Sequence, residues 1–433
     1  MDVRTLAIRT ALVVCTAAVI TSAAVAHSRG LSSRPSGGLS HHEAIEALAP
    51  FVSGHAPFVS GQSARQAAII DDGVGGRSRP LEGPTPLQAN DEHIQVDGAR
   101  AEGAKYLRGA QNMDGGWGAP DSGRASDGTS DVATSSIVLL ALHRDANGAH
   151  TDDDAIIRGV RYVLKSIAEA PSNSARLITP SGTQPQRKLG RLVDTHMAAM
   201  MLSEIAGTLD EATNIAMDRG FGQVIAKVQL AQRADGSFDG DGWAPVLSNS
   251  IAATSLMRAE DKGLSVDPEV LDRSEQYQAA QVALDGTVDT SSGAGVELYA
   301  VAGSLRTNSL AKKRAASPNK SEASRADLAT RSRVSRDQEQ LMAGFGSIGG
   351  EEMLGYMMIS DSLAEEGGDR WSTWEQKVGE YLVGIQNADG SWAGHHCITS
   401  RTFTTAAAVM TLGSGDWAER QAATPPNSGP TAG

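Results

Sequence analysis

Six stretches of this chain are apolar and small on every face of a helix, and six others are apolar on one face only. The first kind includes "DVATSSIVLLAL", "LVDTHMAAMMLSEIAG", "VLSNSIAATSLM", "GAGVELYAVAGSL", "GGEEMLGYMMISDSLAEE" and "TFTTAAAVMTL". A helix that is apolar all round belongs inside a fold, whereas a one-sided stripe marks a helix with a solvent face. The all-round pattern predicts buried helices over about 131–142, 192–206, 246–258, 293–305, 351–365 and 402–412. Amphipathic stretches precede them near 152–168, 268–282, 324–342 and 370–387. Alternation of the two kinds predicts an inner and an outer ring of helices closed on itself, an all-α (α/α)6 toroid of six helical hairpins.

A repeated turn joins the two kinds. "YLRGAQNMDGGW" (106–117) and "YLVGIQNADGSW" (381–392) align without a gap at Tyr, Leu, Gly, Gln, Asn, Asp, Gly and Trp, and "VQLAQRADGSF" (228–238) is a weaker third copy. Its chemistry is that of a helix stop. Gln offers donors to unpaired carbonyls, Asn and Asp-Gly tolerate positive φ, and Trp covers the exposed end. Repeats of this length define the unit as helix, Gly-rich turn, helix.

"QNMDGGW" and "QNADGSW" resemble the turn of the prenyltransferase and squalene-cyclase repeat family, and the resemblance covers about residues 95–415. Within that family the chain is similar to exported bacterial members with a "GHHCITSRTF"-like segment. The resemblance implies a terpenoid-cyclase-like toroid whose inner helices start at one end of a central cleft. Residues that would converge there are Asp131, Asp194, His196, Asn249, Glu297, Glu351, Glu352, His395, His396, Cys397 and Arg401. A squalene-type cyclase is disfavoured, because no Asp-x-Asp-Asp acid occurs and the inner helices hold only Tyr299, Tyr356 and Phe403 to stabilise a carbocation. Protein prenyltransferases bind zinc through Asp-x-Cys and a later His. Here "LVDTHMAAM" and "GHHCITS" supply Asp194, His196, His396 and Cys397 as a tetrahedral zinc set, with His in place of the first Cys. Without a metal, His396 is the expected base, Cys397 the thiolate, Arg401 an anion holder and Glu352 an acid/base carboxyl. The adjacent Cys-His pair of lanthipeptide cyclases and the Cys-x-x-Gln of thioester domains are both absent.

Composition narrows the class. Net charge is −13 over 433 residues and aromatics are 4%, so nucleic acid is not an expected partner. The start, with Arg4 and Arg9, an apolar run from Ala11 to Ala26 and a closing Ala24-Val25-Ala26, predicts a signal peptide over 1–26 and export to the periplasm or beyond. The alternative is an uncleaved membrane anchor, which the run is short for, since a span needs about 18 apolar residues. Residues 27–94 are predicted as a flexible linker and 416–433 as a disordered tail. Between 306 and 339, nine Lys or Arg stand against four acidic residues, expected as a basic insertion in the toroid domain of 95–415. The functional expectation is an exported toroid protein with a small-molecule, glycan or protein ligand in its cleft. Its alternatives are a non-catalytic scaffold of the cell envelope and a polysaccharide-lyase-like enzyme whose groove would combine Asp131, Arg401 and Trp side chains.

Overall fold

The computed structural model describes residues 89–120, 128–146, 148 and 153–423. By internal contacts the chain divides into residues 1–83 and 84–433, and the described residues all belong to the second unit. The signal peptide expected over 1–26 and the expected linker up to residue 88 lie outside the described residues, while residues 89–94, expected in that linker, are helical. Among the described residues no helix is long and apolar enough to cross a membrane.

The described residues form helices and connecting turns, with fifteen α-helices. The inner six are α2 (Val132–Asp145), α5 (Val193–Ile205), α7 (Pro245–Asp261), α9 (Glu297–Ala311), α12 (Gly350–Ala364) and α14 (Arg401–Leu412). Each packs against the next, and α14 packs back on α2, so the inner ring is closed. The outer six are α1 (Ala89–Gly109), α3 (Asp154–Ala168), α6 (Glu211–Ala231), α8 (Pro268–Ala280), α10 (Lys320–Arg336) and α13 (Gly368–Gly384). Short α4 (Gln184–Leu189), α11 (Gln338–Met342) and the terminal α15 (Ser414–Ala423) lie outside this scheme. The toroid and its six hairpins are thus as the pattern predicts.

Helix α3 shows how an outer helix forms. Asp153 caps it, accepting from Ala155 N at 3.0 Å and Ile156 N at 3.2 Å, as an N-cap carboxylate should. Ile156, Gly159, Val160, Val163 and Ile167 are its buried positions, a single helical stripe. The inner helices differ: in α2 and α12 nearly every residue is buried. In all six, partial exposure is confined to the terminal turns. Lumen-facing side chains beside an open channel would be exposed to water along the barrel, so the centre is packed. The central cleft expected from the family resemblance is closed over the length of the barrel, and access to inner-helix residues exists only at its two ends.

The turn motif fastens one hairpin to the next. Gln111 Nε2 donates to Gly115 O and Ala155 O, both at 2.8 Å; Gln232 Nε2 donates to Gly236 O and Val270 O. Gln386 Nε2 donates to Gly390 O at 2.9 Å and to Ala99 O at 2.8 Å. The first two reach the next outer helix in sequence, and the third reaches the first outer helix, sealing the ring. Gly115, Gly236 and Gly390 hold φ of +88°, +90° and +83° against the carbonyls of Arg158, Arg273 and Glu102, an approach and a backbone that favour glycine. Trp117 and Trp392 are buried, their indole N–H groups donating to Leu107 O and Leu382 O. Their rings fill the space over Gly159 and Gly103, where a Cβ would come within 2.5 and 2.8 Å.

At the C-terminal end of the inner ring, five inner helices contribute Arg144, Glu204, Arg258, Arg306 and Asp361. Arg144 pairs with Glu204 at 2.8 Å and Asp361 at 2.7 Å, while Arg306 pairs with Glu365 at 2.8 Å. Trp417 of α15 lies over this layer, 4.3 Å from Arg144 and 5.4 and 5.6 Å from Arg258 and Arg306. Residues 414–423 are therefore a helical plug, where the sequence pointed to a tail from 416. The expected basic insertion at 306–339 is likewise corrected. It holds the end of inner helix α9 and outer helix α10, and most of its cations enter ion pairs: Arg314 meets Glu260, Asp272 and Glu275, and buried Arg331 meets Asp327.

Candidate functional site

The opposite end, where inner helices begin, is crossed by a strap over residues 180–192. Thr183 caps α4, and Gln184, Gln186 and Lys188 tie the strap to its surroundings. Gln184 Oε1 accepts from Thr399 N at 3.0 Å and Ser400 N at 3.3 Å. Gln186 Nε2 donates to Asp194 Oδ2 at 2.7 Å. Lys188 O accepts from Trp243 N and Ala244 N, both at 2.8 Å, and Lys188 Nζ stands 5.0 Å from the centre of the exposed Trp243 ring.

Beside the strap, segment 394–398 pairs with segment 348–350: His395 N donates to Ile348 O at 2.7 Å and Gly350 N to Ile398 O at 2.9 Å. Glycine is required there, since a Cβ on Gly350 would lie 2.7 Å from Ile398 Cβ. This seats Glu351 and Glu352, the first turn of α12, directly under Cys397 and His396. Glu351 is 1% exposed; its Oε2 accepts from Ile398 N at 3.2 Å, and its Oε1 has no hydrogen-bond partner among the described residues. Burial pushes its pKa up to about 7, with Glu352 adding to the shift and Ile398 N–H opposing it. Near neutral pH this carboxyl is both donor and acceptor, the property a general acid/base needs.

Glu352 Oε1 accepts from the Tyr299 hydroxyl and from Phe345 N. His396 Nε2 lies 2.9 Å from Ser347 O and 3.4 Å from Glu352 Oε2. A carbonyl on Nε2 requires the ring proton to be there. The half-exposed Cys397 has φ of +54°, a conformation uncommon for a side-chain-bearing residue. Its thiol interacts with both Glu351 and Lys188, and burial together with the Glu351 charge raises its pKa despite the Lys188 ammonium. That environment works against the thiolate role expected of it.

The four residues of the expected zinc set are not brought together. His196 is buried beside Ser248, with Nδ1 2.7 Å from its hydroxyl, and burial lowers its pKa to about 3. Asp194 Oδ1 accepts from Ala133 N at 3.0 Å, capping the neighbouring helix α2. Asp131 caps the same helix through Thr134 N at 2.7 Å, and burial plus the nearby Asp194 charge raise its pKa to about 7. Among the described residues no group of three or more His, Cys, Asp or Glu has the spacing to hold a metal ion. Arg401 pairs with Asp389 at 2.7 Å at the sixth turn, so it is engaged outside the Glu351 cluster, and Asp131 lies buried apart from it. Asn249 is structural, accepting from Phe238 N and Asp239 N, and Glu297 pairs with Arg333. Sequence reasoning paired His396 with Cys397 and chose Glu352 but passed over Glu351 as a catalytic group, and it missed Lys188 altogether. The signal for Glu351 was its place in "GGEE" at the start of an apolar helix.

No known family profile matches the chain and no curated protein is similar to it. Among solved structures, a glycosidase variant is 12% identical with a TM-score of 0.49, over 77% of this chain and 99% of that one. A variant of the type II terpene cyclase MstE of Scytonema, in complex with geranylgeranyl dihydroxybenzoate, is 12% identical with a TM-score of 0.34, over 76% and 99%. Another MstE variant, in complex with merosterolic acid A, is 13% identical with a TM-score of 0.33, over 76% and 100%. At such identities and scores nothing about the chemistry of this chain follows from them.

Proposed function

We propose that this protein is an acid–base enzyme acting on a glycan at the strap-covered end of the ring, with Glu351 as the proton-transferring carboxyl. The observation that carries the reading is that carboxyl itself, buried, held near pH 7 and with one oxygen unpartnered among the described residues. Two exposed aromatic rings flank the cluster, Trp243 at 59% and Phe345 at 62% exposure, the latter 5.3 Å from the His396 ring. Aromatic faces beside recessed carboxyls suit sugar rings, which present apolar C–H faces and polar edges. In this reading water adds to the anomeric carbon as the glycosidic C–O bond breaks, Glu351 gives its proton to the leaving oxygen and the proton of the water returns to the Glu351 carboxylate through solvent, while Glu352 is held in place by Tyr299 and His396 and Cys397 remains a thiol. The packed barrel favours this over a terpenoid substrate, which needs an apolar chamber. The export signal read over residues 1–26 supports an extracytoplasmic site of action. Zinc is not carried forward, because its expected ligands face different partners.

The test is turnover of a glycan panel, followed both as new reducing ends and as the unsaturated product of a lyase. Glu351→Gln is expected to lose at least about a hundredfold in rate. Equal rates in wild type and variant would remove Glu351 from the chemistry. Saturable glycan binding with no turnover in the wild type would leave a binding scaffold instead.

A further inference from the structure

Beside the first turn motif lies a groove of about 520 Å³ between outer helix α3 and the segment leading into the strap. Arg158, Arg161 and Lys165 line one side, at positions i, i+3 and i+7 of one helical face; Tyr162, Ile178 and Thr179 also line it, and two carboxylates, Asp114 and Glu169, lie at its edge against these three cations. The size falls within the range of small-ligand sites. Arg158 pairs with Asp154 at 2.9 Å and Lys165 only loosely with Glu169 at 3.9 Å, while Arg161 is exposed and has no carboxylate partner among the described residues. Tyr162 is fixed as a wall, its hydroxyl donating to Ser130 O at 2.8 Å.

The groove ends against the start of the strap. Thr179 and Pro180 line it, and Pro180 O accepts from Gln186 Nε2 at 2.9 Å within the strap that carries Lys188. Residues 176–193 hold Arg176, Arg187, Lys188 and Arg191 and no acidic residue, in a chain with 51 acidic residues against 38 basic ones. The groove thus lies beside a segment of positive sign, against the charge of the whole molecule, although Arg191 in it is paired with Asp241. Repulsion by that net charge makes nonspecific attraction of polyanions weak, so a local basic groove favours a ligand that carries carboxylates.

We propose that this groove is a subsite for an anionic glycan, a chain of uronic acids, whose carboxylates meet Arg161 and Lys165. This rests on the glycan reading above and names its substrate class. The guanidinium of Arg161 offers a fork matched to a carboxylate, and Tyr162 and Ile178 offer apolar surface to the ring.

The test is calorimetric titration of the full chain carrying Glu351→Gln, in which turnover is expected to be slowed, with oligogalacturonate. Neutral cello-oligosaccharide and dextran sulfate serve as controls. Saturable binding of oligogalacturonate is expected, tighter than either control. Adding Arg161→Ser and Lys165→Ser should weaken it about tenfold, as loss of charged hydrogen bonds implies, with an unchanged thermal midpoint. Unchanged affinity in that variant, or dextran sulfate bound as well as oligogalacturonate, would overturn the subsite. Oligogalacturonate binding in the groove with no turnover by the wild type would leave the subsite standing and remove the catalytic reading alone.

Discussion

Replacing Glu351 by Gln should stabilise the protein above neutral pH and do nothing in acid. The carboxyl has an ordinary value of 4.5 and sits near 7 in the fold, a rise of about 2.5 units. At about 1.36 kcal/mol per unit, holding it ionised costs the native state about 3 kcal/mol. The sign follows from proton binding: between 4.5 and 7 the folded chain holds a proton that the unfolded chain has released, so stability falls as pH rises through that window. Below 4.5 both states are protonated and the cost vanishes; above 7 it is complete. Gln keeps an oxygen for Ile398 N–H and carries no charge, so the variant lacks this slope. Asp131, also raised to about 7, imposes a similar slope on both proteins and cancels in the difference. Urea denaturation at pH 4.5, 6, 7 and 8 reads the effect: the variant's advantage should grow from near zero to about 3 kcal/mol. A difference that stays constant across the series would refute the reasoning and place Glu351 in a solvated or fully compensated setting.

Gln386→Ala removes two hydrogen bonds, one within its turn and one across the ring seam, and should cost about 2 kcal/mol, matching Gln232→Ala at an interior junction in the same denaturation assay; a negligible loss at the seam would mean that packing alone seals it. Alkylation of Cys397 by iodoacetamide should follow a thiol titrating above its ordinary value, faster in Glu351→Gln and slower in Lys188→Met, because the two neighbours push its pKa in opposite directions; a stopped-assay rate profile across pH 7 to 10 checks both signs.

The architecture was legible in the sequence because the burial of a helix writes itself on every face. The stretch about 351–365 became Gly350–Ala364 and that about 402–412 became Arg401–Leu412. The turn was legible too, since Gln, Asn-x-Asp-Gly and Trp each perform a local task. Outer helix α6 was not drawn, as its apolar positions make only a weak stripe. Nor was the plug: Trp417 acquires its place only through arginines 111 to 273 residues earlier in the chain. The site was half legible. "HHC" marked the loop beside which the proposed site lies, but its neighbours come from α4, α9 and α12, and the approach of Lys188 to Cys397 is a product of the ring's closure, with no trace in spacing. Zinc failed for the same reason: Asp194 and His196 carry ligand chemistry in one dimension, while in three they serve a neighbouring helix end and Ser248.

The bond from Gln386 to Ala99 has a consequence for how the molecule comes into being. An open array of helical pairs has two ends, frays from them and needs capping repeats. Here the sixth pair occupies the place where a cap would stand, so every pair is interior and no end exists from which unravelling can begin. Until the last pair emerges from the ribosome, however, the nascent chain is a five-pair arc with both edges bare, carrying inner-helix surface that is apolar on all sides. The finished ring is protected by its lack of ends, and the growing one is exposed for the same reason, which places the hazard of aggregation in synthesis rather than in the folded protein.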